Sequence, residues 1–255
     1  MRFVGAIVDA TTVHLNAPFA ATPQAGADAG ATITYTPATE LPSASIFDYW
    51  SPSTAVQRVL RGAAVDEMQI LVNGDFHETR FKGVAQDLID SATFSGGGAG
   101  ELASFPEEPD TADFDYTIVP GNMGQAWLGS APSQFFTITG ASVVVKNDLD
   151  MRSREFGSSV PRAIAPGQRS VAAAFDLFAR DDEQTRALYE AARQESPIGV
   201  MFQLGEAEGQ LMGVYLKSVV PDVPEFEDGE NRLQWRFRGG RAQGAGDDEV
   251  VVAFA

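Results

Sequence analysis

The stretch Arg232-Leu233-Gln234-Trp235-Arg236-Phe237-Arg238 alternates a charged or amide side chain with a bulky apolar one at every step. Successive side chains of an extended chain leave opposite faces, so this period of two predicts a strand with one buried and one wet face. The same period runs through Val171, Ala173, Phe175 and Leu177 in residues 170–178. It recurs where Ile198, Val200, Phe202 and Leu204 alternate with Gly199, Met201 and Gln203. Further strands are expected at 68–73, 76–81, 136–146, 210–219 and 250–254. Gly205-Glu206-Ala207-Glu208-Gly209 reads as a hairpin loop between two of them.

Helical signals are sparse. Asp181 is placed to cap a helix over about 181–195, with Gln184 three positions on and Asp182 and Glu183 at its positive end. Ala187, Leu188, Ala191 and Ala192 supply an apolar stripe, and Ser196-Pro197 ends it. A weaker helical pattern covers 53–61 through Ala55, Val56, Val59 and Leu60. The fold class that follows is mainly β with at least one flanking α-helix.

The chain has 255 residues, enough for two ordinary domains or one large all-β domain, and its 44% hydrophobic content can build a sizeable core. No apolar run approaches the ~18 residues that a membrane span needs. The opening Met1-Arg2-Phe3-Val4-Gly5-Ala6-Ile7-Val8-Asp9 is interrupted too early for a secretory signal. With no cysteine, disulfides, thiolate metal sites and thiol nucleophiles are excluded.

Eighteen basic against 35 acidic residues give a net charge of −17. Gripping nucleic acid requires cations to neutralise phosphates, so this chain repels a polyanion on average. That disfavours DNA binding but suits a surface past which DNA slides; solubility alone explains the charge equally well. Acidity concentrates at the centre: residues 1–61 carry −1, 62–130 carry −10 and 131–255 carry −6. A glycine-rich break at 95–100 and an acidic stretch at 101–115 mark a flexible middle. On either side the order of signals repeats. Ile70-Leu71-Val72-Asn73-Gly74-Asp75 and a strand ending at Asp90 parallel Val143-Val144-Val145-Lys146-Asn147-Asp148 and a strand ending near Asp181. Unequal spacings leave duplication and coincidence both open.

Catalytic signatures are lacking. His14 and His77 have no triad partners in sequence, and His77 reads as outward-facing on a strand. No nucleophile-elbow, zincin or phosphate-loop motif occurs. Asp110, Asp113 and Asp115, like Asp148 and Asp150, lack the calcium-loop pattern and read as solvated loop acids. Trp235 lies on the apolar phase of its strand and belongs to the core. No catalytic, cofactor-binding or metal-binding residue is therefore expected.

One loop stands out. Residues 146–169 carry Lys146, Arg152, Arg154, Arg162 and Arg169 against Asp148, Asp150 and Glu155, a balance of +2 in an acidic protein. Phe156, Val160 and Ile164 are interleaved with glycine, serine and proline. Structureless loops of this length are uncommon unless functional. A basic segment with apolar anchors on an acidic chain has another copy of that chain as its natural partner, whereas the plain alternative is a mobile surface loop. Asn147, Arg152, Arg154, Phe156, Arg162, Ile164 and Arg169 are the expected interface residues.

Residues 137–148 (Thr-Ile-Thr-Gly-Ala-Ser-Val-Val-Val-Lys-Asn-Asp), Arg154-Glu155-Phe156-Gly157-Ser158 and Pro166-Gly167-Gln168-Arg169-Ser170-Val171 together resemble the major tail tube proteins of siphophages. So do Val72-Asn73-Gly74-Asp75-Phe76-His77-Glu78 and residues 81–88. The similarity covers about residues 50–255 and rests on strand and loop patterns. It implies β-sandwich or barrel modules: a first module with an N-terminal arm over 1–125, and a second over 126–255 whose stacking loop is 147–169. Such modules join edge to edge into rings, and rings stack into the hollow tube of the virion tail, through which DNA passes without specific binding. Two modules per chain imply trimeric, pseudo-hexameric rings, the preferred arrangement, and one implies hexamers. The resemblance also implies tape-measure and tail terminator or tip proteins as partners, assembly in the host cytoplasm, and no membrane. Alternatives are the tube of a contractile injection system, a β-sandwich module binding carbohydrate or a receptor, and an acidic hydrolase.

Overall fold

The alternating stretches fold as strands because their apolar phases share one interior. The computed structural model describes residues 1–26, 30–49, 57–90, 105–110, 120–153, 156–157, 161–229 and 232–255. The first strands are β1 (Val4–Ile7), β2 (Val13–Leu15), β3 (Ile33–Tyr35), β4 (Ala44–Tyr49), β5 (Gln57–Asn73), β6 (Glu78–Val84) and β7 (Asp87–Asp90). Next come β8 (Gln125–Gly129), β9 (Ser133–Phe135), β10 (Ile138–Lys146), β11 (Asp150–Met151), β12 (Ile164–Ala165) and β13 (Ser170–Phe178). Helix α1 (Glu183–Arg193) precedes β14 (Ile198–Leu204), β15 (Met212–Val220), β16 (Glu225–Glu227), β17 (Gln234–Ala242) and β18 (Val251–Phe254). The protein is thus mainly β, with one α-helix among the described residues, as the sequence predicts.

Fourteen strands form one antiparallel sheet in the order β4-β5-β10-β13-β17-β15-β14-β8-β9. β6 and β7 lie against β5, β16 lies against β17, and β18 sits between β15 and β3. Residues on both sides of position 125 share this sheet: Val143 of β10 pairs with Ile70 of β5, and Phe202 of β14 with Ala126 of β8. The sheet rolls so that both ends face one interior. Ile70, Val143, Val171, Phe175 and Phe237 pack in one cluster with Leu128, Val200, Phe202, Val214 and Leu216. Each such side chain contributes roughly 1.5–3 kcal/mol by leaving water.

A second apolar cluster covers the opposite face of β8, β14, β15 and β18. There Phe3 and Ala17 pack on Trp127, Met201, Tyr215 and Ala253. Asn16 pins the segment, accepting from the Phe3 amide at 2.8 Å and donating to the Met201 sulfur. Met201 and Gln203 are buried for this reason, although they sit on the second phase of the β14 alternation.

Three expectations change. The helix cap is Asp182: its extended backbone lets the carboxylate accept from the Thr185 amide at 2.7 Å, so Thr185 occupies the position that a cap at Asp181 assigns to Gln184. Ala187 is exposed, and Leu188 and Ala192 carry the buried stripe. Residues 57–61, read as helical, are strand, because Val59 is buried where β5 runs between β4 and β7; residues 51–56 lie outside the described residues. β5 then changes partners near Gly62, whose φ of 61° suits glycine, and continues between β6 and β10. Of the central break, only 105–110 is described; there Phe105 meets Phe47 and Tyr49 edge to face at 5.7 and 5.1 Å.

Candidate assembly surface

The basic loop grows from a docked base. The Asn147 amide donates to the Asp66 carbonyl and its side-chain amide to the Val65 carbonyl, both at 2.8 Å. The Leu149 amide donates to the Asp66 carboxylate at 2.9 Å, and the Gly167 amide closes the base on the Asn147 carbonyl at 3.0 Å. The loop is also not structureless: Asp150 pairs with Ala165 and Met151 with Ile164, and the Arg152 amide reaches the Ala163 carbonyl at 3.1 Å. A two-residue ladder is too short to leave a periodic signal.

Beyond that ladder, Phe156 is wholly exposed at 102% of its reference area. Arg152 and Arg162 are exposed, and the Arg162 guanidinium lies 3.5 Å from the Phe156 carbonyl. Ile164 is half-buried in the ladder. Arg154 lies outside the described residues. The expected residues thus separate into a base (Asn147, Arg169), a stem (Ile164) and a tip (Arg152, Phe156, Arg162).

Arg169 differs from the other arginines. Its guanidinium, 18% exposed, bonds the carboxylates of Asp247 and Glu249 and the Ala38 carbonyl, the last at 3.1 Å. The Thr39 hydroxyl adds a 3.1 Å bond to Asp247. Arg169 and then Thr39 hold the Asp247 carboxyl below the usual aspartate range. These partners lie 78, 80 and 131 positions from Arg169, so no local pattern could have announced them.

Beneath this junction lies a groove of about 410 Å³, lined by Leu41, Val65, Met68, Phe81, Val145 and Val252 among others. Among the described residues, β6 bonds only β5, and Phe81 is 65% exposed between the charged Arg80 and Lys82; β3 bonds only β18, and Ile33 and Tyr35 are 61% and 57% exposed. Apolar side chains on unpaired strand margins are the usual substrate for strand-to-strand association. Further exposed apolar groups, Val4, Ile7 and Val13, lie on the β1–β2 hairpin.

Chemistry-bearing side chains do not converge. Among the described residues, no group of three or more histidines, aspartates or glutamates could hold a metal ion. His14 is exposed. His77 is not outward-facing as its sequence phase suggests: it sits between the Phe76–Pro120 bridge and β6, and both ring nitrogens are buried with no hydrogen-bond partner among the described residues. Trp235 packs against the core beside Tyr189, Phe226 and Phe237.

No family model and no curated protein matches the chain. Among solved structures, the chain is similar to the SPP1 tail tube determined by solid-state NMR and cryo-EM. The two are 13% identical with a TM-score of 0.40, over 48% of this chain and 75% of that chain.

Proposed function

We propose that this protein is a non-catalytic structural subunit that assembles with copies of itself into stacked rings, forming the hollow tube of a phage tail. The observation that carries the reading is the pair of strand margins at β6 and β3, which have no second partner strand among the described residues and expose Phe81, Ile33 and Tyr35. A closed ring completes such margins with a neighbour's strand. The basic tip with fully exposed Phe156, on a chain of net charge −17, supplies a contact between rings. An acidic wall repels phosphate, so DNA moves through without adhering.

One large core drawn from residues 70 to 250 supports a single module per chain, and with it rings of six copies. Three copies with pseudo-sixfold symmetry is the arrangement for two modules. The remaining roles expected from the sequence resemblance follow from this reading: a place in the virion tail, assembly in the host cytoplasm, and tape-measure and terminator partners. Negative-stain electron microscopy of concentrated protein tests it: rings or filaments are expected. A chain that stays monomeric in sedimentation at every concentration and salt tested overturns it.

A further inference from the structure

Residues 1–17 form an arm that is separate from the main sheet. Among the described residues β1 pairs only with β2, and no strand ladder joins the two to the body. Side-chain contacts at its base hold the arm in place. The Phe3 ring stacks on Tyr215 with centroids 5.3 Å apart, and the Arg2 guanidinium lies 4.3 Å from the Trp127 ring centre. Asn16 donates to the Met201 sulfur at 2.8 Å. The receiving face is shaped for these groups: a Cβ at Gly213 of β15 would run into the Met1 sulfur and the Phe3 ring. The hairpin beyond that base is uncovered. Pairing sets Val4 against Leu15 and Ile7 against Val13, and these four apolar residues are 39–77% exposed. Fifteen residues (18–32) then separate the arm from β3, among them six alanines, two glycines and two prolines. Every described residue of this connector is exposed, and none is in a strand. Fully extended, such a connector spans about 50 Å.

Resting on the reading above, we propose that the arm is exchangeable: in the assembled state, residues 1–17 of one copy occupy the Trp127–Met201–Tyr215 face of the next. A second copy's arm fits this face because it is the same arm. The contacts broken are the contacts remade, which makes exchange a low-cost route to association. The connector supplies the reach, and without a ladder the arm opens without unzipping the main sheet. Charge does not oppose the approach: residues 1–32 hold only Arg2, Asp9 and Asp28 in a chain of net charge −17. The gain lies at the hairpin, whose exposed apolar residues leave water when the arm lies between two copies.

The chain has no cysteine, so placed thiols report on their own positions alone. Val4 and Lys217 are exposed and line the same cleft, of about 360 Å³, between the arm and β15. V4C copies and K217C copies, mixed under assembly conditions and treated with a short bismaleimide, should yield covalent dimers of one of each. Those dimers should vanish when the K217C copy also carries G213V, which closes the receiving face. F3A in the V4C copy removes the arm's anchor, leaves the sheet untouched and should have the same effect, which guards against misfolding of G213V. The V4C/K217C subunit, cross-linked within one chain before assembly, should lose ring formation. Rings that yield no mixed dimers, or that form from the locked subunit, overturn the exchange and leave the tube reading standing. Mixed dimers that persist with both G213V and F3A overturn it as well, since proximity alone would then join the copies. Mixed dimers in a protein that forms no rings keep the exchange and remove the tube reading; absence of both removes both.

Discussion

Phe175 and Phe237 lie opposite each other across the β13–β17 ladder, with ring centroids 4.7 Å apart and planes 24° from parallel. Both are 1% exposed and belong to the main cluster. Phe237→Ala should cost about 3–5 kcal/mol, the usual penalty for removing a buried phenyl group and leaving a cavity. Urea unfolding followed by tryptophan fluorescence reads the loss, and a change below ~1 kcal/mol would mean that the ladder does not hold this register.

The α1 cap gives a smaller and more local effect. Asp182→Ala removes the acceptor of the Thr185 amide and should destabilise by about 1 kcal/mol, while Asp181→Ala should change little. The Thr185 amide holds the Asp182 carboxyl below the ordinary aspartate range. Its contribution is therefore complete above that range and disappears as pH falls through the depressed value. Thermal melts of the two variants at pH 7 and pH 3 distinguish the caps.

His77 gives a pH dependence of the same sign, in a higher pH window. Burial lowers its pKa, because the charged ring would have to leave water. Below the ordinary histidine value the unfolded chain takes up the proton first, so folding stability declines as pH drops through that window. His77→Phe should flatten the dependence between pH 7.5 and 5, measured as the urea midpoint. A midpoint in the parent protein that does not move over this range contradicts the assignment.

At the loop tip, Arg152→Glu combined with Arg154→Glu should block tube growth and leave the melting temperature within a few degrees of the parent. Arg152 is exposed, and exposed residues away from the core rarely change stability by more than ~0.5 kcal/mol. Normal tubes from the double variant would take the tip out of ring stacking.

Legibility in the sequence followed the range of the forces involved. β13, β14 and β17 are readable because their alternation records a single buried interior. Residues 57–61 mislead because a helical stripe through Val59 and Leu60 is indistinguishable from a strand whose pairing with β4 and β7 comes from distant segments. The strands of residues 1–50 are short and mostly exposed, so little periodicity marks them. The basic loop is visible as charge against an acidic background. The separate duty of Arg169 is not, since Asp247, Glu249 and Ala38 reach it only after folding.

The pairing of β18 with β3 sets an order of events during synthesis. Thr34 lies opposite Ala253, so β3 lacks its partner among the described residues until residues 251–254 have left the ribosome. Truncated products of interrupted translation lack this ladder and the Glu249 arm of the ionic junction, and so cannot present the finished margin. In the proposed assembly, an incomplete chain therefore lacks the margin that a neighbouring copy would complete.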